Sequence, residues 1–426
     1  MNRRDFLKAL AASGMVAATP VVPTLARANS IPLHQGDIFI SIEARGGWDV
    51  TSFCDPKAST TINNWAATDS VQTVANSQIT YAPFANNAKL FTNHSDKMLV
   101  INGIDSQTNA HDAGRIHNWS GQFRPGYPAT SALYAAVMGR QLPFAFVSNG
   151  GFRETAGLVP YTLMSNPSQL LGLVNTNRPT NSGFSRVVPD EQLDLLKQAK
   201  MARLERLQQV SELLPGTRKV VNDYVDARTS QAQISVLEDY LPSESLPIDH
   251  FGYRSSKPRQ IQLTLAACQA GLCVAADLSV GGFDTHSNHD ERHSECLTEL
   301  VDTIDFLWQE AEARGLADRL KVLVSSEFSR TPKYNDGNGK DHWPINSALL
   351  MQKNASFAGQ VVGASNEKHE ALTLNPDLSV ANEGEGERIT PADVHKLVRH
   401  WLAIENNQTA VGFNLASNVD LTSLLS

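Results

Sequence analysis

From residue 259 to residue 403 the chain alternates between stretches of helical spacing and short apolar runs. A helix over 259–270 leads to a strand over 272–280. A loop over 281–289 leads to a long helix over 290–314, and the next strand follows over 320–326. A last helix is expected over 391–403, with Pro391 at its first position and Thr390 as a fitting N-cap. Such alternation predicts an α/β fold, a mostly parallel sheet with helices on both faces. Earlier strands are expected at Ile38–Ile42, Lys97–Ile101 and Phe144–Val147, with a helix opening at His111. Between about 190 and 240, Leu193, Leu196, Leu204, Leu207 and Val210 recur among charges, and Pro215-Gly216 interrupts them. That stretch predicts an inserted helical hairpin, serving as a cap over a site, an edge of the core or a solvated arm.

All strands of a parallel sheet open their C-terminal ends on one edge. Three expected strand ends here carry metal-ligand chemistry. The first is Gly46-Gly47-Trp48-Asp49. The second is Gly281-Gly282-Phe283-Asp284-Thr285-His286-Ser287-Asn288-His289-Asp290. The third is Ser325-Ser326-Glu327-Phe328-Ser329-Arg330, followed after a loop by Gly339-Lys340-Asp341-His342. Asp49, Asp284, His286, His289, Glu327, Asp341 and His342 are therefore the candidate ligands. Carboxylates grouped on one edge repel one another, and a divalent cation removes that cost. Mixed carboxylate and imidazole donors suit zinc or manganese, with calcium or magnesium as further options.

The N-terminus is an address. Arg3-Arg4 precede an apolar and small-residue stretch from Ala9 to about Val22, and Ala26-Arg27-Ala28 offers a small-x-small cleavage site. The apolar core is too short to remain as an anchor, so residues 1–28 read as a twin-arginine signal peptide. The expected destination is the periplasm or the exterior, with the twin-arginine translocase as a partner and no membrane span in the mature form. Residues 29–426 are expected to form one domain carrying the insertion. Taking Arg3, Arg4, Lys8 and Arg27 from 36 basic residues, and Asp5 from 44 acidic ones, leaves 32 and 43, a formal charge of −11. This balance argues against nucleic acid as a partner. Cys54, Cys268, Cys273 and Cys296 are too few for a disulfide scaffold and lack a haem or iron–sulfur pattern.

The order Gly-Gly-Phe-Asp-Thr-His-Ser-Asn, spacer helix, Ser-Glu-Phe-Ser-Arg-Thr-Pro and Gly-Lys-Asp-His resembles a family of exported bacterial proteins, domain of unknown function 1501. Its pattern is close to GWDTH, SEFGRT and GTDHG; here Phe283 replaces the first Trp, Ser329 replaces Gly, and Trp343 follows the His. That family is similar to the alkaline phosphatase and sulfatase superfamily, and the resemblance implies an alkaline-phosphatase-like fold with a two-metal site. On that likeness Asp49 matches the carboxylate after the first strand, and Asp284 with His286 or His289 matches the Asp/His pair. Glu327 stands where an Asp usually ends the next strand, and His342 matches the late His. The superfamily's nucleophile region corresponds to Asn102–His111, where Thr108 or Ser106 is the candidate nucleophile and helix capping is the alternative role of Thr108. His111 and Arg115, four apart on one helix face, and Arg330 are candidates to bind an anion.

The resemblance and the ligand pattern together imply an exported metal-dependent hydrolase of phosphate or sulfate esters. Its expected substrate is a small anionic ester or a sulfated or phosphorylated glycan. The alternative is a non-catalytic, metal-stabilised envelope protein of the same fold that binds a glycan or a partner.

Overall fold

A computed structural model of the chain describes residues 33–164, 189–210, 214, 216–217, 234–242 and 246–425. The signal peptide and the second limb of the expected hairpin, around Val220, lie outside the described residues. The first limb is a helix, α4, over Asp190–Gln208.

An eight-stranded sheet organises the chain. Its strands are β1 (Ile38–Ala44), β2 (Met98–Asp105), β3 (Phe146–Asn149), β4 (Tyr161–Leu163), β5 (Ala275–Val280), β6 (Leu320–Ser325), β7 (Ile345–Gln352) and β8 (Gln360–Val362). Their order across the sheet is β8-β2-β7-β6-β1-β5-β3-β4. β1 lies between β5 and β6 and is parallel to both. β7 alone runs against its neighbours, β2 and β6. The α/β class and the mostly parallel sheet expected from the alternation are therefore what the chain adopts.

Alternation along β1 shows how the sheet is covered. Ile38, Ile40 and Ile42 face one core with helices α1 (Asn87–His94), α5 (Lys257–Gln269) and α6 (His289–Ala313). Phe39 faces a second core with α3 (Thr130–Met138) and α7 (Pro391–Trp401). Side chains two apart along a strand share a face, so one apolar run feeds both layers. Burial of this kind stabilises by roughly 25 cal/mol per Å² of apolar surface, which makes the sheet a rigid platform for whatever its edge carries. At the start of α7 the Thr390 amide donates to Asp393 Oδ2 at 2.7 Å, closing a capping box.

β7 and β8 were not foreshadowed by the alternation. β7 carries Asn346 and Ser347 in its first half, which breaks the apolar run, and its pairing with β2 is irregular there. Those polar side chains are buried but bonded. Trp48 Nε1 donates to Asn346 Oδ1 at 2.7 Å, and Ser347 Oγ donates to Asn102 Oδ1 at 2.8 Å. All four cysteines are free thiols. The acidic stretch 375–388 is tied by backbone bridges from Leu374 to Val380 and Glu387.

A candidate metal centre at the strand ends

The C-terminal ends of β1, β2, β5 and β6 open on one edge of the sheet, and the reverse-running β7 enters from that edge. The chain after β1 turns through Gly46 and Gly47, both at positive φ. A Cβ on Gly46 would lie 2.5 Å from the Asp284 amide nitrogen, and one on Gly47 would meet the Phe328 ring. Glycine at both positions therefore lets the loops after β1, β5 and β6 close on one another.

His111, Asp284 and His342 converge there, each with a ligand atom within 4.8 Å of the others. His111 opens α2 (His111–Ser120) after β2, Asp284 follows β5, and His342 precedes β7. His286 joins them, with its Nε2 3.0 Å from Asp284 Oδ1 and 3.0 Å from His342 Nε2. His342 Nε2 lies 3.2 Å from Asp284 Oδ1, and His111 Nε2 lies 3.6 Å from Asp284 Oδ2. Phe328 packs against the His111 and His342 rings and is itself fully buried.

Each imidazole has its other nitrogen fixed by a group that only accepts. His111 Nδ1 donates to Glu327 Oε1 at 2.9 Å, His286 Nδ1 to Asp341 Oδ1 at 2.8 Å, and His342 Nδ1 to the Asn109 carbonyl at 2.7 Å. With a proton on each Nδ1, the Nε2 atoms of all three imidazoles turn toward the Asp284 carboxylate, and each offers a lone pair once it gives up its second proton. Burial pushes the Asp284 carboxyl up, but the bond and charge of Arg330, with His342 and His286, outweigh it and hold it at about 2. Three imidazole nitrogens crowd one half-exposed carboxylate, and a divalent ion between them would take their lone pairs in place of protons. Two imidazoles and a carboxylate, with further coordination positions open, are a donor set for zinc, manganese or iron. The residues present fit a divalent ion on that ground.

The other candidate residues fall around this cluster. Glu327 is buried and accepts from the Gly46 amide as well as from His111, so it orients a ligand. Arg330 is fully buried. It donates to the carbonyls of Gly46, Gly47 and Lys340 and to Asp284 Oδ1, the last at 2.8 Å. Arg115 has its guanidinium taken by Glu43 in a two-pronged pair at 2.6 and 2.9 Å. Ser106 is fully buried, and its hydroxyl is bonded by Asn118 Nδ2 at 3.1 Å. Thr108 Oγ1 accepts from the Ala110 amide at 3.1 Å in the turn before α2.

Asp49 and His289 lie in a separate, buried group. Asp49 Oδ2 accepts from Lys340 Nζ at 2.5 Å and from His289 Nε2 at 3.1 Å, and Oδ1 accepts from the Thr51 amide and hydroxyl at 2.9 and 2.6 Å. Lys340 was not singled out from the sequence. The available signal was a lysine inside the Gly-Lys-Asp-His run, where a basic residue stands among ligands.

The family model described as protein of unknown function (DUF1501) matches residues 38–415. The chain belongs to that family. A twin-arginine signal model matches residues 1–20, so the protein is exported. No helix among the described residues is long and apolar enough to cross a membrane. No curated protein matches the chain in sequence. Solved structures that are similar include Ps i-CgsB in complex with k-i-k-neocarrahexaose, at 8% identity and a TM-score of 0.41, covering 90% of this chain and 75% of that one. The PsFucS1 sulfatase from Pseudoalteromonas sp. is similar at 9% identity and a TM-score of 0.39, covering 91% and 73%. The phosphonate monoester hydrolase of Agrobacterium radiobacter is similar at 10% identity and a TM-score of 0.33, covering 91% and 77%.

Proposed function

We propose that the protein is an exported, metal-dependent hydrolase of phosphate or sulfate esters. The observation that carries this reading is the convergence of His111, His286 and His342 Nε2 on the Asp284 carboxylate. The ester class rests on the motif order that resembles the alkaline phosphatase and sulfatase superfamily. Asp284, His111 and His342 would hold the ion, and Glu327 and the Asn109 carbonyl fix the tautomers that make this possible. A divalent ion there supplies Lewis-acid polarisation of an ester oxygen and lowers the pKa of water.

The chain's own residues do the rest. Ser106 is sealed from substrate and Thr108 Oγ1 is held in a turn, so water rather than a side-chain hydroxyl is the attacking group. His286 is half-exposed; Asp341 fixes its Nδ1 proton, and its Nε2, now against Asp284 and His342, would take the proton of that water. Arg330 holds Asp284 against both loops, so the carboxylate does not swing away. Arg45, exposed beside Gly46, forms no ion pair among the described residues and is available to an anionic substrate.

The deciding experiment assays mature protein loaded with zinc or manganese against aryl phosphate, phosphodiester and aryl sulfate esters. Turnover that disappears in His286→Ala but persists in Thr108→Ala is the expected result. Tight metal binding with no turnover of any ester would favour the non-catalytic reading.

A further inference from the structure

The base proposed above is an imidazole held by a carboxylate that water can reach. The His286 and Asp341 side chains are 46% and 55% exposed, and His286 Nδ1 donates to Asp341 Oδ1 at 2.8 Å. Such an exposed pair contributes little by itself, because water screens it and both side chains lose rotamer freedom in forming it. A third group reaches both partners. Asn335 Nδ2 donates to the same Asp341 oxygen at 3.2 Å and to the His286 carbonyl at 3.1 Å. One amide thus touches the acid at its side chain and the histidine at its main chain.

Asn335 is itself fixed. Its Oδ1 accepts from the Gly337 and Gly339 amides at 3.0 and 2.9 Å, and its own amide donates to the Gly339 carbonyl at 2.8 Å. Donors around Oδ1 and acceptors around Nδ2 settle which way the side-chain amide points. The segment that carries it lies against the loop after β5. Asn288 N donates to the Gly337 carbonyl at 3.2 Å, His289 N to the Asn338 carbonyl at 2.8 Å, and Lys340 N to the Thr285 carbonyl at 3.1 Å. A Cβ on Gly339 would run into the His286 carbonyl, so glycine is what admits this approach. Thr331 holds the Asp341 main chain from both sides: its amide donates to the Asp341 carbonyl at 2.9 Å, and its hydroxyl accepts from the Asp341 amide at 3.0 Å. What remains to be set is the Asp341 side-chain torsion, and the Asn335 donor sets it.

We infer that Asn335 is a positioning residue: its donor arm orients the Asp341 carboxylate, which keeps the His286 proton on Nδ1 and so aims Nε2 at the attacking water. The inference rests on reading His286 as the base of the proposed hydrolase. Among the described residues Asn335 makes no hydrogen bond to His111, Asp284 or His342, so the bound ion should not depend on it.

The test separates the two arms. Asn335→Asp keeps an oxygen for the Gly337 and Gly339 amides but sets a second one against the His286 carbonyl and Asp341. Asn335→Ala removes both arms. Zinc content should equal that of wild type in each. Asn335→Ala should melt lower than Asn335→Asp, yet in both kcat should fall roughly tenfold to a hundredfold with KM within about twofold of wild type. An Asn335→Asp protein with kcat within about twofold of wild type would overturn the inference and leave Asn335 a loop cap. A second readout needs no turnover. Long-range proton–nitrogen spectra of nitrogen-labelled, zinc-free protein show which ring nitrogen holds the proton at about pH 8, where an ordinary imidazole carries one. His286 is assigned by the signals missing from His286→Gln. Wild type should carry the proton on Nδ1, and Asn335→Asp should divide it between Nδ1 and Nε2. Wild type with the proton on Nε2, or the same Nδ1 form in both proteins, would overturn the inference. If wild type turns over no ester, or turnover survives His286→Ala, the reading of His286 as the base falls, and the spectra still decide whether Asn335 sets the Asp341–His286 pair.

Discussion

Two groups of histidines and carboxylates lie one above the other at the strand ends, and they solve the same electrostatic problem differently. In the buried group, Asp49 meets an ammonium, an imidazole N–H, an amide and two hydroxyls, so its charge is matched inside the chain. In the open group, Asp284 meets the Nε2 atoms of three titratable imidazoles and one permanent cation, Arg330, whose other donors are spent on backbone carbonyls. The loops feed both groups by alternation. Thr285 and His289 turn inward with Lys340, while Asp284 and His286 turn outward with Asp341 and His342. A closed, neutralised pair contributes to the fold, whereas an incompletely neutralised, half-exposed set is a candidate binding site.

The largest expected effect breaks the buried group. Asp49→Asn leaves the Lys340 ammonium buried without a counter-charge, which costs about 3–5 kcal/mol. Denaturant unfolding should show that loss, while zinc content stays at the wild-type level. A large loss of bound zinc in a folded Asp49→Asn protein would join the two groups into one site and end the comparison.

The converse substitution, Asp284→Asn, should do the opposite. The melting temperature without metal should fall by less than in Asp49→Asn, because Asp284 is half-exposed to solvent and the asparagine oxygen still accepts from Arg330. The stabilisation by added zinc should vanish. For an ion at a hundredfold excess over its dissociation constant that stabilisation is about 3 kcal/mol. A smaller effect is expected one layer out. Glu327→Gln keeps an acceptor near His111 but removes the charge that fixes its tautomer, so metal affinity should fall roughly tenfold to a hundredfold. Calorimetric titration with zinc reads this directly, and unchanged affinity would remove Glu327 from the site.

Much of the frame was legible because it rests on periodicity. β1, β5, β6, α5, α6 and α7 follow from apolar runs of the right length and from Gly, Pro and Thr at their ends. β7 was hidden because Asn346 and Ser347 are buried by tertiary hydrogen bonds that no local pattern announces. In the site, the strand-end positions of Asp284, His286, Asp341 and His342 could be read from the motif order. The division into an open and a buried level could not. It depends on which way each side chain turns in irregular loops, and on Lys340 folding back to Asp49 across 291 residues of sequence. His111 stood in the sequence as an anion binder; its place beside Asp284 depends on Glu327, a residue 216 positions away.

The smallest expected effect concerns pH, and its sign separates the two groups again. The bond to Glu327 raises the His111 pKa above its ordinary value; burial opposes this, and the charges of Glu327 and Asp284 support it. A raised histidine stabilises the metal-free fold below about pH 6.5, and that contribution disappears as the pH rises through the shifted pKa. Zinc competes with the same proton for Nε2, so zinc-induced stabilisation should grow over the same interval. Asp49 behaves otherwise. Burial pushes it up, but Lys340 and His289 outweigh that and hold it well below the usual carboxylate range. Its contribution is present above about pH 3.8 and is lost only in stronger acid. Burial also lowers His395 to about 3 and His369 to about 4, so both oppose acidification and set a background slope common to all variants. The His111 effect is therefore read as a difference between wild type and His111→Gln, melted from about pH 5 to pH 8. In chelator the wild-type advantage should shrink as pH rises, and in zinc it should grow. The same sign in both conditions would show that no ion competes for His111, and the open cluster would lose its metal.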